Sequence, residues 1–250
     1  MLKAYKYRLY PSKSQAELLN KHLGSCRFIF NLALETKQMA YAGNKVNLSC
    51  FDLHKQLTDL KKELAWLKEV NSQSLQQSIT NLDTAYTKFF KGLSDFPKYK
   101  SKHGKQSFQI PQNIELDFEK EKLFIPKFKE AIKIVVSRKF KGDIKTSTIS
   151  RTPTGKYFIS ILCDNKKELP KKAPIKEKTS IGIDLGILSF IATSDGLTVS
   201  NPKYLKESLR HLKYLQRQVS KKVKGSGRRR MAILKLSKCH ERVANQRKDF

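Results

Sequence analysis

The chain has 250 residues and a formal net charge of +29, from 51 Lys and Arg against 22 Asp and Glu. Its 39% hydrophobic and 10% aromatic content is enough for packed cores, which excludes a wholly disordered basic tail, and it shows neither the roughly 20-residue apolar run of a membrane helix nor the apolar segment of a signal peptide. We expect a cytoplasmic protein whose charge is neutralised by a polyanion, and nucleic acid is the obvious partner.

The N-terminus predicts a strand followed by a long helix. Residues 1–10 alternate loosely between apolar and polar and stop at Pro11, which is typical of a short strand. Ser14 and Glu17 then have the spacing of a capping box, so we expect the first helix to begin there and to run to about Ala42.

Two further helices are predicted before residue 93. Apolar residues recur at helical spacing after Ser49, which forms a second capping-box pattern, and again after Ser72 or Ser74. Residues 13–92 therefore read as a helical module.

The middle of the chain changes to short β-rich runs separated by turn residues. The runs are residues 107–110, 114–118, 122–126, 132–136, 147–151 and 156–162. Strands at this spacing predict a small barrel or sandwich. The strand at 1–10 could join it, which would make the helical module an insertion. Residues 168–178, with two prolines and many charges, then predict a linker.

The C-terminal part predicts a β-hairpin and a helical hairpin. Residues 179–196 contain two apolar strands closed by the Asp195-Gly196 turn, which is a strong hairpin signal. The last 50 residues hold 16 Lys and Arg against 3 Asp and Glu. Leu and Val recur at helical spacing on both sides of Gly225-Ser226-Gly227, so we expect two basic helices joined by this turn.

Asp184 is the sharpest candidate for chemistry. A carboxylate within the apolar run IGIDLG (181–186) is costly to bury without a partner, a metal or a role. Either it bonds backbone amides at a strand end, or it binds Mg²⁺ for phosphodiester hydrolysis, in which metals about 4 Å apart need several converging acids. The later acids are Asp195, Glu207, Glu241 and Asp249, and none lies in a second apolar strand. The sequence thus predicts an incomplete Mg²⁺ site.

Basic residues next to aromatic ones are candidates for nucleic-acid binding through phosphate contact and base stacking. Lys98, Lys100 and Lys102 interleave with Phe96, Tyr99, His103 and Phe108. Lys6 and Arg8 lie among the tyrosines of the first strand, although tyrosines facing a core would explain that pattern equally well. A solvated charged face is the alternative for all of these positions.

Further candidates are basic residues away from these two segments. They comprise the cluster around the Gly-Ser-Gly turn, namely Lys221, Lys222, Lys224, Arg228, Arg229 and Arg230, together with the separate positions Arg27, Arg151 and Lys156.

Eight segments stand in order along the whole chain. They are YKYRLYPSKSQ (5–15), CRFIFNLAL (26–34), LQQSITNLDTAYTKFF (75–90), FPKYKSK (96–102), ISRTPTGKYFISI (149–161), IGIDLG (181–186), NPKYL (201–205) and KCHERVANQRKDF (238–250). Together they resemble the TnpB family of transposon-encoded, RNA-guided DNA endonucleases, also called OrfB-type transposases and thought to be ancestral to the type V CRISPR effectors.

The resemblance implies an α+β fold. An oligonucleotide-binding-type β-barrel would be interrupted by a helical module and followed by an incomplete RNase H-like (RuvC) domain. The implied parts are the first wedge-barrel strand at 1–12, the helical recognition module at 13–95, the rest of the barrel at 96–170, a linker at 171–178, and the N-terminal part of the RuvC domain with its basic helical hairpin at 179–250.

The resemblance also implies a site and partners. Asp184 maps onto the first RuvC aspartate, a catalytic Mg²⁺ ligand in the family. The second and third RuvC motifs and a four-cysteine zinc module have no counterpart here, so we expect a chain truncated after the first motif. The implied partners are a guide RNA from the transposon end and target double-stranded DNA, with no membrane, and a second chain could supply the missing RuvC half. The cysteines present (Cys26, Cys50, Cys163 and Cys239) lack zinc-type spacing.

Three functions remain open from the sequence. The first is a transposon nucleic-acid-binding protein, a truncated or split endonuclease unable to cleave by itself. The second is a nuclease-dead, RNA-guided DNA-binding regulator such as a repressor, to which a non-functional decayed fragment is the alternative. The third is a ribosomal-type RNA binder, which charge alone permits but which leaves the Asp184 strand unexplained. An anionic membrane surface is disfavoured because it predicts an aromatic-faced basic helix, and the chain has one Trp.

Overall fold

The computed structural model describes residues 1–168, 174 and 176–249. It separates into two compact units, Met1–Glu168 and Leu169–Phe250. Half of the predicted linker at 171–178, namely residues 171–173 and 175, lies outside the described residues. Within them, no helix is both long and apolar enough to cross a lipid bilayer.

The first unit is a seven-stranded sheet with three α-helices inserted after its first strand. Its strands are β1 (Leu2–Tyr10), β2 (Gln106–Ile110), β3 (Glu115–Asp117), β4 (Lys122–Phe124), β5 (Ile132–Val135), β6 (Asp143–Arg151) and β7 (Tyr157–Asp164). Its helices are α1 (Lys13–Asn44), α2 (Cys50–Glu63), a 3₁₀ helix (Ala65–Glu69) and α3 (Ser72–Phe90). The fold is thus a mixed one, with helices and strands as expected.

The sheet order is β2-β6-β7-β1-β5-β4-β3, and every ladder is antiparallel. The strand at the N-terminus therefore lies inside the sheet, between β7 and β5, as the sequence suggested. The end strands β2 and β3 do not pair with each other among the described residues. A closed oligonucleotide-binding barrel consequently remains a prediction.

The core lies on one face of this sheet. Along β1, Tyr7 and Leu9 are buried while Lys6 and Tyr10 are exposed, because successive side chains of a strand point to opposite faces. Tyr7 and Leu9 belong to one apolar cluster that also contains residues of α1, α2, α3 and most of the other strands. The Tyr7 hydroxyl donates to the carbonyl of Arg138 at 2.7 Å, and burial raises the pKa of this phenol.

The first helix begins two residues earlier than its predicted capping box implies. Ser12, not Ser14, is the N-cap: its hydroxyl accepts from the Gln15 amide at 3.3 Å, and the Gln15 side chain accepts from the Ser12 amide at 3.0 Å. Ser12-x-x-Gln15 has the same spacing as Ser14-x-x-Glu17, and Gln15 additionally donates to the carbonyl of Ala131 at 3.3 Å. This tertiary bond favours the earlier start.

Helices α2 and α3 each begin directly after an N-cap residue. Ser49 and Asp52 form the predicted capping box of α2. Helix α3 begins at Ser72, with Asn71 as its N-cap. The backbone amide of Asn71 donates to Nε2 of buried His22 at 3.0 Å, so the start of α3 is fixed to α1.

The second unit contains a small sheet followed by two long helices. Its strands are β8 (Ile183–Asp184), β9 (Ser189–Thr193) and β10 (Thr198–Ser200), in the order β10-β9-β8, and its helices are a 3₁₀ helix (Glu177–Thr179), α4 (Tyr204–Ser220) and α5 (Gly227–Asp249). The predicted turn at Asp195-Gly196 joins β9 to β10, and Gly196 has a left-handed φ of 88°. Leu212, Leu215, Val219 and Val243 are the buried residues of α4 and α5. A RuvC-type arrangement of this unit remains a prediction.

Candidate nucleic-acid interface

The face of the sheet opposite the core carries cations around an aromatic centre. Arg8 of β1 lies opposite Phe158 of β7 and Val135 of β5, and Tyr10 lies opposite Lys133. Directly opposed residues of antiparallel strands project from the same face. We define the cationic–aromatic face as Lys6, Arg8, Tyr10, Lys133 and Phe158.

In the described part of the chain, Lys6 and Arg8 of this face contact aromatic rings and form no ion pair with an acid. Lys6 Nζ lies 4.8 Å from the centre of the Phe158 ring. The Arg8 guanidinium carbon lies 5.1 Å from the Phe158 ring and 5.2 Å from the Tyr10 ring. Each such contact contributes about 0.5–1 kcal/mol at an exposed site. Phe158 is thus half-buried between two positive charges on the face of the sheet opposite the core.

Arg8 keeps unused hydrogen-bonding capacity. Its Nε is buried and has no hydrogen-bond partner among the described residues. An unpaired buried donor costs about 1–3 kcal/mol, and a guanidinium binds phosphates and base edges through several donors at once. An anion bound to this face would accept a hydrogen bond from Arg8 and so remove the cost of the unpaired donor.

The segment from Lys98 to Lys102 is fixed to α1 by its backbone and by Tyr99. Asn31 accepts from the Lys100 amide at 2.7 Å and donates to its carbonyl at 3.0 Å. The Tyr99 hydroxyl donates to the Gln38 side chain at 2.9 Å, and 53% of Tyr99 remains exposed. Lys98 is exposed and lies 3.6 Å from Asp95, and Lys102 is exposed.

The other aromatic residues of that segment do not form the expected stacking surface. Phe108 is buried and stacks on His22 with ring centres 5.1 Å apart. Phe96 packs edge-on against Tyr86 and Phe89. Tyr99 is the more exposed aromatic side chain beside these lysines, and Phe96 keeps 40% of its surface exposed despite its ring contacts.

Two predicted cations of this region act within the protein. The Lys100 side chain is exposed overall, but its ammonium lies 3.7 Å from the centre of the Phe30 ring, where desolvation lowers its pKa. Arg27 donates to the Gln106 side chain at 2.8 Å, and Gln106 in turn donates to the carbonyls of Ser101 and Gly104. These contacts hold the 98–106 segment in place and leave Lys98 and Lys102 facing solvent.

Arg151 and Lys156 flank the turn between β6 and β7. Arg151 donates to the Asn20 side chain at 3.0 Å and lies on the same face as its partner Tyr157, which is buried. Arg151 is therefore on the face opposite Arg8 and Phe158. Lys156 is half-buried, and its backbone closes the turn with Thr152.

The α4–α5 turn in the second unit is strongly basic. Lys221, Lys224, Arg228 and Arg230 are exposed, whereas Lys222 and Arg229 are half-buried. Three arginines occupy the first turn of α5, where the positive end of the helix dipole disfavours cations and favours an anion.

Arg229 differs in role from its neighbours. It donates to the carbonyls of Val219 at 3.1 Å and Lys222 at 2.9 Å, and so ties the end of α4 to the start of α5. A pocket of about 520 Å³ beside this turn includes Arg228, Lys235 and Tyr214 in its lining. The sequence pattern did not single out Tyr214 or Lys235.

Asp184 is not buried, contrary to the expectation from its apolar surroundings. It lies at the end of β8, an edge strand of the small sheet, opposite Ala192. The neighbouring Ile183 and Leu185 are 62% and 71% exposed, so the sheet leaves its apolar residues uncovered and the carboxylate in water. In the described part of the chain the Asp184 carboxylate makes no hydrogen bond, so the strand-end contact to backbone amides is not formed.

The described residues do not fit the metals that the family resemblance implies. Among them, no three His, Cys, Asp or Glu side chains are placed to hold one ion. Asp195 accepts from the Thr193 hydroxyl in its turn, which lowers its pKa. Cys26 and Cys163 are buried, and burial raises the pKa of Cys26 to about 11, which disfavours the thiolate that zinc needs.

Phe158 is the aromatic residue of this face that sequence reasoning missed, whereas Tyr10 was already among the tyrosines considered beside Lys6 and Arg8. The structure brings both residues together with predicted Lys6 and Arg8 on one face of the sheet. Predicted Arg151 lies on the other face, opposite Gln106 of β2, which accepts a hydrogen bond from predicted Arg27. No signal for Phe158 is present in the sequence, because Tyr157, Phe158 and Ile159 are all apolar or aromatic; the structure separates buried Tyr157 and Ile159 from half-buried Phe158.

Two family models match the sequence. A helix-turn-helix domain of the OrfB type from IS605 elements matches residues 1–45, which hold β1 and α1 in this structure. A model described as "Probable transposase", OrfB of IS605, matches residues 160–250.

Curated relatives match across the chain. A protein of Streptomyces pristinaespiralis, named as a candidate RNA-guided DNA endonuclease, is 34% identical over 99% of this chain and 62% of its own length. InsQ of Escherichia coli (strain K12), named likewise, is 32% identical over 100% of this chain and 61% of its own length. The virulence protein VsdF of Salmonella dublin is 39% identical over 42% of this chain and 98% of its own length. The chain thus spans about three fifths of the two endonuclease-named relatives.

Two solved structures give distant matches. A Cas12f1–sgRNA–target DNA complex matches with a TM-score of 0.38 and 15% identity, over 97% of this chain and 65% of the other. A CRISPR–Cas12f ternary complex matches with a TM-score of 0.40 and 14% identity, over 95% and 59%.

Proposed function

The chain belongs to the TnpB family of OrfB-type transposon proteins, and on that premise we propose that residues 1–250 bind a guide RNA and its matching double-stranded DNA without cleaving the DNA by themselves. The RNA would come from the transposon end. Guide pairing would read the DNA sequence, while the protein holds the strands through backbone and shape.

The observation that supports this proposal most is the cationic–aromatic face. Lys6 and Arg8 flank Phe158 on the open side of the sheet, and Arg8 Nε lacks a partner in the described residues. Cations beside an aromatic ring allow phosphate contact and base stacking at one place. We infer that this face receives unpaired nucleotides, and that the α4–α5 turn provides further phosphate contacts.

The surroundings of Asp184 support the absence of cleavage. A two-metal hydrolytic site needs several carboxylates close together, and Asp184 is exposed without two further ligand side chains placed beside it in the described part of the chain. We infer that a Mg²⁺ site at Asp184 needs donors from outside residues 1–250, either from a longer form of this protein or from a second chain.

A DNA-binding regulator is the second candidate. Repression by a guided binder needs strand pairing and backbone contacts but no catalytic carboxylates. The first unit, which carries the cationic–aromatic face, has a single continuous core reaching from β1 to β7. A decayed fragment is not expected to retain a binding function, so specific RNA binding distinguishes a regulator from a decayed fragment.

Co-purification tests the proposed function. The chain is expressed together with its native flanking DNA, and the RNA that remains bound after a high-salt wash is sequenced. The proposal predicts one discrete RNA species from the transposon end, at about one copy per chain. Heterogeneous RNA lost in the wash, or an aggregated protein, would refute it.

A further inference from the structure

A basic pocket beside the start of α3 belongs to none of the sites described above. It has a volume of about 400 Å³, and its lining includes four lysines, Lys61, Lys62, Lys68 and Lys127, together with Ser72 and Gln76 of α3. The lining contains no acidic residue. Sequence inspection did not single out these lysines because they are spread over more than 60 positions.

Hydrogen bonds hold two of the four ammonium groups at the pocket. Lys61 Nζ donates to the Ser72 hydroxyl at 2.7 Å, which links α2 to the first residue of α3. Lys127 Nζ, from the loop after β4, donates to the carbonyl of Lys68 at 3.1 Å. Since an ammonium has three donors, each of these groups keeps two for a ligand.

Acidic residues near the pocket neutralise only part of its charge. Asp59 pairs with Lys62 at 2.8 Å, and Glu69 pairs with Lys21 outside the pocket. In the part of the chain that the structure describes, Lys61, Lys68 and Lys127 form no ion pair. Three uncompensated cations therefore lie around one concavity.

The helix ends explain part of this arrangement but not all of it. The C-terminal end of α2 favours cations, which accounts for Lys61 and Lys62 in its last turn. The N-terminal end of α3 is positive and disfavours the approach of Lys68 and Lys127. A bound anion would remove the repulsion among the lysines and would also be stabilised by the start of α3.

We propose that this pocket binds successive phosphate groups of a nucleic-acid strand, as a contact separate from the cationic–aromatic face. The proposal rests on the proposed function, because a free phosphate or nucleotide offers the same chemistry. Ammonium groups from three segments of the chain suit a backbone that carries one charge per nucleotide. The pocket would hold the strand by charge, without reading its bases.

The first test removes two pocket charges. Lys68→Gln/Lys127→Gln is compared with Lys88→Gln/Lys91→Gln, which removes the same charge at the other end of α3. Each protein is titrated with single-stranded RNA at several salt concentrations. The slope of log affinity against log salt is negative, and the loss of two phosphate contacts makes it shallower by about 1.4. This corresponds to a loss of about 25-fold in affinity at 0.1 M salt.

Comparison with the control pair decides the outcome. The proposal predicts the full loss in the pocket variant and less than threefold in the control. Equal losses in both variants would mean general charge attraction and would overturn the pocket. Failure of the wild-type chain to bind any nucleic acid would instead refute the proposed function.

Lysine footprinting of the unmodified chain identifies the ligand without relying on variants. Acetylation of Lys68 and Lys127 is measured with RNA, with inorganic phosphate and without ligand. Protection by RNA at micromolar concentration, with none from phosphate at the same phosphate concentration, supports the strand. Equal protection by inorganic phosphate would show a site for free phosphate and overturn the assignment, and so would an absence of protection by bound RNA.

Discussion

Replacement of Phe158 by Ala tests whether the cationic–aromatic face stacks bases. The ring lies 4.8 Å from Lys6 Nζ and 5.1 Å from the Arg8 guanidinium. Loss of stacking on one aromatic ring costs about 1–3 kcal/mol of binding free energy, or about 5- to 150-fold in affinity. The variant also loses two cation–π contacts of about 0.5–1 kcal/mol each. These contacts are present in the free protein as well as in the complex, so their loss largely cancels in the binding free energy and the loss of stacking decides its sign.

Salt dependence separates stacking from charge. Phe158→Ala removes no charge, so the slope of log affinity against log salt should stay unchanged while affinity falls at every salt concentration. Lys6→Gln should lower that slope by about 0.7 for a single strand. Fluorescence anisotropy with a labelled single-stranded RNA measures both quantities.

Phe51→Ala is the matched control, because Phe51 is 81% exposed on α2, away from the sheet. The reasoning is refuted if Phe158→Ala weakens binding no more than Phe51→Ala does. It is also refuted if Phe158→Ala changes the salt slope as strongly as Lys6→Gln.

Three further predictions concern stability. Gly142→Ala should lower the free energy of unfolding by about 2–4 kcal/mol in denaturant titrations, because Gly142 has a φ of 127° and a Cβ would lie 2.2 Å from the Asp164 carbonyl oxygen. Gly155→Ala is the control, since a Cβ there meets open space and should cost about 1 kcal/mol. Equal losses in the two variants would contradict the predicted steric clash at Gly142. Burial, with Lys127 nearby, lowers the pKa of His22, so the folded state holds this imidazole neutral. The free energy of unfolding should therefore fall as the pH drops below about 6.5, by at most about 1.4 kcal/mol per pH unit. A His22→Gln variant that keeps the wild-type pH dependence would refute this. Arg229→Ala, which loses two hydrogen bonds to carbonyls, should accelerate amide exchange at residues 219–227 by about tenfold or more, whereas an equal effect of Arg228→Ala would contradict the structural role of Arg229.

Periodicity and capping patterns predicted most elements of this fold. The predicted strands occur within a few residues of their expected positions, and Ser49-Asp52 caps α2 as expected. The predicted start of α1 was wrong because Ser12-Gln15 and Ser14-Glu17 have equal spacing. The hydrogen bond from Gln15 to the Ala131 carbonyl, which favours the start at Ser12, cannot be seen from the local sequence.

The sites were harder to predict because they depend on side-chain direction and on distant pairs. Lys100 and Arg229 belong to basic clusters in the sequence, but the contacts of Lys100 with Phe30 and of Arg229 with two carbonyls occupy them within the protein. Asp184 looked buried because its neighbours are apolar, and the edge position of β8 exposes them all. Phe158 gains its meaning only from the strand register that sets it opposite Arg8.

The measurement that tests the central claim most directly is a combined binding and cleavage assay. The purified chain with its co-purified RNA is incubated with matching double-stranded DNA in Mg²⁺, beside Asp184→Ala. The account predicts that both proteins bind the DNA equally and that neither cuts it. Mg²⁺-dependent cutting by the wild-type chain that is lost in Asp184→Ala would contradict it, because Asp184 would then work with carboxylates of residues 1–250 alone.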